Sequence, residues 1–279
     1  MKKFFAITGI LVGIFALIGG ILIAIGVLRG ADGNFKLFGQ LRFSYGTPDL
    51  VKSDLIMLED FDRVDINARR AHVEVIKSDR NAVEYSVYSN QVKCEVKDKC
   101  FTFKEDSSIF TFWNRGKNRR NLDDTYIRVY VKSDDLSRLT VKSDLGDIHI
   151  EGITSYKMSA DADLGNVVIE NANVSNLIGK SDLGKFSFEG SCTQKMDVDV
   201  DTGSAYVSGD LSGDIVIDAN MGDVKVTTCY NKDSYYLNSD CDMGSIRIHE
   251  NGGEKLEQKS NMKIDCDMGS IDIYFVDKK

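Results

Sequence analysis

Residues 141–150, VKSDLGDIHI, set a pattern that returns six more times before the C-terminus. The glycine recurs at Gly146, Gly165, Gly184, Gly203 and Gly222, each 19 residues after the last. Gly244 and Gly269 follow after intervals of 22 and 25. A spacing this regular is the mark of a repeat architecture, in which each unit is one supersecondary element.

The residues around the glycine say what the unit is. Seven before it stands Leu139, Met158, Leu177, Met196, Ile215, Leu237 or Met262, and just before it a Leu, Met or Thr. Two after it stand Ile148, Val167, Phe186, Ala205, Val224, Ile246 and Ile271, and four after it another apolar residue. Apolar residues two apart follow the strand period, so each unit reads as a strand, a corner at the glycine and a second strand. These rows, the residue just before the glycine included, are expected to face inward. One coil buries too little to offset the ordering of its own backbone, and stacked coils cover one another. The expected fold is therefore all-β: a parallel β-solenoid (β-helix) of about eight coils with ~19-residue repeats, spaced about 4.8 Å apart.

Working outward, residues 4–28 carry no charge, enough to span a bilayer as one N-terminal transmembrane helix. Lys2 and Lys3 precede it, which orients the N-terminus to the cytoplasm and the remainder outside the cell. The run is longer than the apolar region of a cleaved signal peptide, so it reads as an uncleaved signal anchor in a cell membrane. Gly9 and Gly13 form a GxxxG, a helix-pairing face that would give a homodimer. The expected organisation is thus an anchor over 1–28, a juxtamembrane linker and cap over 29–60, and an extracytoplasmic solenoid over 61–279.

The first coil is degraded but legible: Val64, Ile66, Ala68, then Ala71 at the glycine position, then Val73 and Val75. Residues 83–87 and 92–103 alternate like paired strands around a turn at Lys97-Asp98-Lys99, with Cys94 and Cys100 placed to face each other across it. Residues 107–121, SSIFTFWNRGKNRRN, form an aromatic-basic loop holding the only tryptophan, and residues 126–131 read as a strand feeding the regular repeats.

The order of these features resembles the LiaG-like family of bacterial β-strand-repeat proteins, a family of adhesin-like domains of unknown function. The resemblance spans roughly residues 61–275 and rests on the Leu/Met-Gly-Asp/Asn/Ser-Ile/Val-x-Ile/Val units, closing on Met268-Gly269-Ser270-Ile271-Asp272-Ile273. Ala71 and Thr202 depart from the pattern. The resemblance implies a membrane-anchored extracytoplasmic β-solenoid connected with cell-envelope stress, and it brings no catalytic residues.

The chain's own chemistry points the same way. Its net charge of −8 argues against nucleic-acid binding. Residues 139–279 hold 13 Lys+Arg against 25 Asp+Glu, so the repeats are the acidic part. His72, His149 and His249 have no fixed nucleophile beside them, and each glycine serves a corner rather than a phosphate loop, so the chain is read as no enzyme and as needing no cofactor. A carbohydrate-active solenoid enzyme acting on cell-wall or host glycans is the alternative. No CxxC zinc spacing occurs among the six cysteines, and Cys241 and Cys266 share a small inward position.

One polar pattern repeats with the fold. Two before the glycine stand Asp144, Asp163, Asp182, Asp201, Asn220, Asp242 and Asp267, where Asx side chains suit turns. Four before it, acids gather in the later coils. Asp199, Asp201, Asp218, Asp240, Asp242, Asp265 and Asp267 make an outward acidic stripe, expected to bind Ca2+ weakly, at about 10⁻⁴–10⁻³ M. The expected function is an interaction surface for an unknown protein or envelope polymer.

Overall fold

The computed structural model describes residues 33–37, 41–45, 50–89, 92–105 and 125–278. The expected anchor and the aromatic-basic loop fall outside the described residues. Among the described residues, no helix is long and apolar enough to cross a membrane. A 3-10 turn at Lys232–Ser234 is the one helical element among them.

The chain divides into two units. In the first, Met1–Pro48 with Ser107–Asn118, β1 (Gly33–Leu37) and β2 (Leu41–Tyr45) pair antiparallel. The second, Asp49–Asp106 with Arg119–Lys279, is a 17-stranded, largely parallel sheet.

The glycine repeat is the rung of that sheet. β10 (Arg138–Leu145) and β11 (Ile148–Glu151) meet at Gly146, and the chain repeats this through β12 (Thr154–Leu164), β13 (Val167–Leu183), β14 (Phe186–Thr202), β15 (Ala205–Leu211), β16 (Asp214–Met221) and β17 (Val224–Thr228). Leu139, Met158, Leu177, Met196 and Ile215 lie in one parallel register, and Ile148, Val167, Phe186, Ala205 and Val224 in another. The 19-residue repeat is therefore the register offset. All ten of these side chains are buried in one continuous core. Gly184 shows why the corner is glycine: its φ is +152°, and a Cβ there would run into the carbonyl oxygen of Gly165 on the next rung.

The row just before the glycine does not face inward as expected. Leu183 is 50% exposed and Met243 62%, and Leu164, Met221 and Met268 are exposed with them. The backbone turns at the glycine, so the last side chain before it sits on the outside of the corner and the strand alternation ends one residue early.

The rungs also depart from chain order, at both ends. The degraded first coil is present as β4 (Arg63–Ala68) and β5 (His72–Lys77), with Val64 beside Leu139 and Val73 beside Ile148. Residues 126–131 form the expected strand, but it lies one rung away from the first regular repeat. With β8 (Cys100–Glu105), β9 (Tyr126–Val131) makes a further rung on the far side of β4 and β5, where Phe101 pairs with Val64 and Ile127 with Val73. The chain then returns to lay β10 on the other face. That far rung is closed by antiparallel strands. β7 (Val92–Lys97) folds onto β8 through Asp98 and Lys99, both at positive φ. β6 (Ala82–Tyr88) pairs with β9, and β3 (Leu50–Met57) pairs with β6. Cys94 sits opposite Phe103 and Cys100 opposite Lys97, so the two do not face each other, and both are free thiols.

At the other end, β18 (Tyr235–Glu250) and β19 (Ser260–Phe275) exchange places. Chain order would put the Gly244 rung next to Gly222. Instead Ile215 pairs with Met262, which pairs with Leu237, and Val224 pairs with Ile271, which pairs with Ile246. The inward positions give the reason. Ile264 and Phe275 of β19 are matched in β18 by Ser239 and Glu250, so the more apolar strand takes the interior place.

Candidate interaction surface

Each rung presents two outward rows, one from the strand before the glycine and one from the strand after it. On the first, successive rungs carry Lys142, Asp161, Lys180, Asp199, Asp218, Asp265 and Asp240. The acidic stripe is therefore contiguous, but Asp265 stands between Asp218 and Asp240. Lysines partly neutralise it. Lys142 Nζ lies 3.3 Å from Asp161 and 3.1 Å from Asp163, Lys180 lies 2.9 Å from Asp182, and Lys263 pairs with Asp265. The Asn220 amide donates to Asp201 at 2.9 Å. Partial burial raises the pKa of Asp199, with Asp201 and Asp218 adding to it against Lys180. Asp242 and Asp267 are exposed beside the corner. Among the described residues no three His, Cys, Asp or Glu side chains are grouped to hold a metal ion.

Cross-rung capping comes from the residue after the glycine, a position the sequence reading did not single out. Asp147 Oδ1 accepts from the Asn166 backbone N–H at 2.7 Å, and Asn166 Oδ1 accepts from that of Lys185 at 2.9 Å. Asp223 Oδ1 accepts from the Ser270 backbone N–H and hydroxyl at 3.0 and 2.7 Å. The signal was the short polar residue directly after every repeat glycine except Gly184, which Lys185 follows.

The second face is different in kind. Its central row runs His149, Val168, Ser187, Tyr206, Lys225, Asp272, Arg247 along the stack. In the later rungs this becomes a surface of rings and cations. Lys185 Nζ lies 4.6 Å from the centre of the Tyr206 ring and Lys225 Nζ 5.0 Å from that of Tyr274. The His249 ring stacks on Tyr274 at 4.3 Å. Arg247 makes two hydrogen bonds of 2.6 Å to Asp272, which holds that carboxyl below its usual pKa. Sequence reasoning missed Tyr274, because only the return of β19 to the interior brings Lys225 beside it, whereas Tyr206 and Lys185 lie on rungs adjacent in chain order.

A shallow hollow of about 460 Å³ is lined by Asp147, Ile148, His149, Asn166, Val168 and Lys185. His149 faces Glu170 at 3.2 Å, and His72 faces Asp147 at 3.4 Å. Cys241 and Cys266 are in register and inward as expected, and burial pushes the Cys266 thiol up to about 11, far from a thiolate nucleophile.

The Toastrack DUF4097 family matches residues 61–275. Among solved structures the chain is similar to a candidate adhesin from Bacteroides fragilis, at 16% identity over 81% of this chain and 97% of that one, with a TM-score of 0.45. It is similar to a candidate cell adhesion protein from Clostridium sporogenes at 11% identity, covering 81% and 99%, with a TM-score of 0.41. A candidate lipid-binding protein from Parabacteroides distasonis gives 15%, 82% and 97%, with a TM-score of 0.37. No curated protein matches the sequence.

Proposed function

This chain belongs to the Toastrack DUF4097 family, and from that premise we propose a single-pass bacterial membrane protein that displays an adhesin-like interaction surface outside the cell. The ladder is a solenoid of about eight coils, held by the anchor at residues 1–28 and performing no chemistry of its own. It acts as an envelope accessory of the LiaG-like kind.

The observation that carries the reading is the second face, where Tyr206 and Tyr274 lie beside Lys185, Lys225 and His249 on a rigid stack. Rings offer stacking area and cations offer charge, which suits a polymer carrying both sugar rings and anionic groups. The test is retention of the full chain by isolated envelope polymer, comparing the parent with Tyr206→Ala/Tyr274→Ala. Loss of retention in the variant supports the reading, and equal retention removes this face from it. External protease on intact cells tests the topology: digestion beyond residue 28 is expected, and full protection contradicts it.

A further inference from the structure

We infer that two copies of this chain join end to end through β18, pairing antiparallel about a two-fold axis at the Gly244 corner. The first observation is the state of that end. At the two inward positions after the glycine, every interior rung from Ile148 and Ile150 through Ile271 and Ile273 is 0–1% exposed. On β18 the same positions, Ile246 and Ile248, are 39% and 38% exposed. Among the described residues no further layer covers the core there.

The second observation is the backbone. β18 is 16 residues long and pairs with β19 along one edge; its other edge has no ladder partner among the described residues. A long free edge is a template for another strand. The opposite end of the stack is closed by β7 on β8 and by β6 on β9. A second copy set head to tail would therefore meet antiparallel strands rather than a parallel rung, which favours β18 meeting its own equivalent.

Charge says how. The outward acids Asp240 and Asp242 lie before the corner, and Arg247 and His249, which share Asp272 of the same chain, lie after it. An antiparallel two-fold sets the first half of one strand against the second half of the other. With the axis between Met243 and Gly244, Asp240 of each copy lies opposite Arg247 of its partner, and Ile248 lies opposite Ser239 and diagonal to Leu237 on the inward side. A parallel pairing would set acid on acid.

Sedimentation of the full chain in detergent, over a range of concentrations, tests this. A reversible dimer is expected, with Ile248→Lys raising its dissociation constant roughly tenfold or more. Ile248 is already 38% exposed in the single copy, so the variant's melting should change little under conditions where the parent is a monomer. Asp240→Lys and Arg247→Glu should each weaken the dimer when alone. An equimolar mixture of these two should restore it, because both contacts across the axis become opposite-charge pairs. A parent that is monomeric throughout, or a dimer indifferent to all three substitutions and to mixing, overturns the inference. Indifference would point to pairing elsewhere, such as the Gly9/Gly13 helix face.

Discussion

Gly179 has no side chain because Phe186 occupies its place: a Cβ at Gly179 would lie inside van der Waals contact with three atoms of the Phe186 ring. The two residues come from opposite strands of the core, and the same position on neighbouring rungs holds Ala160 and Val198. The rung carrying the largest pair of side chains, Phe186 and Phe188, is thus balanced by the smallest residue facing it.

Overpacking this site should be costly. Gly179→Ala is expected to destabilise by about 1–3 kcal/mol. Adding Phe186→Leu should recover part of the loss, giving a coupling of about 0.5–3 kcal/mol in a denaturation cycle. Strict additivity would mean that the two side chains do not compete for the space.

Glu105 gives the stack a pH dependence. The carboxyl is buried at the end of β8, with one oxygen lacking a partner. Burial raises its pKa to about 7, against the backbone N–H of Arg69 and the charges of Arg69 and Arg70, with Asp144 adding to the rise. The folded state therefore holds the proton more tightly than the unfolded chain. The stabilisation is complete below the ordinary pKa near 4.5 and is lost as pH rises through about 7. Melting midpoints should fall between pH 5 and pH 8, and Glu105→Gln should flatten that slope. A slope unchanged in the variant would assign it to another group.

The acidic row remains a candidate for weak cation binding. Asp199 and Asp218 are register neighbours, so they stand about 4.8 Å apart along the stack. Calcium should raise the melting midpoint slightly over sodium at equal ionic strength. Asp199→Asn with Asp218→Asn should remove the difference. Equal midpoints for the parent in the two salts would leave the row as a screened, soluble surface.

Much of the fold was legible because the repeat and the ladder share one number. The 19-residue interval from Gly146 to Gly222 is the register itself, so the inward rows at Leu139 and Ile148 could be read by counting. What could not be read was the order of rungs at the ends. Any rung accepts any other in this geometry, and Met262 suits Ile215 as well as Leu237 does. The choice rests on small differences such as Ser239 against Ile264, which a repeat template treats as equal positions. The acidic row was visible for the same reason as the core. The Lys225–Tyr274 half of the tyrosine-cation face was not, because it depends on which rungs are neighbours. The exposed corner row was misread because alternation was carried one residue too far, across a turn that reverses which side is out.

β19 lies between β16–β17 and β18, and the order of the last rungs rests on that placement. The contact between Asp223 and Ser270 exists only in that order; stacking in chain order would set Asp223 against Ser245 instead. Double-mutant cycles in urea unfolding, pairing Asp223→Ala with Ser270→Ala and separately with Ser245→Ala, measure this directly. The interleaved order predicts a coupling of about 0.5–1.5 kcal/mol for the Ser270 pair and none beyond error for the Ser245 pair. Coupling to Ser245 with none to Ser270 would contradict it.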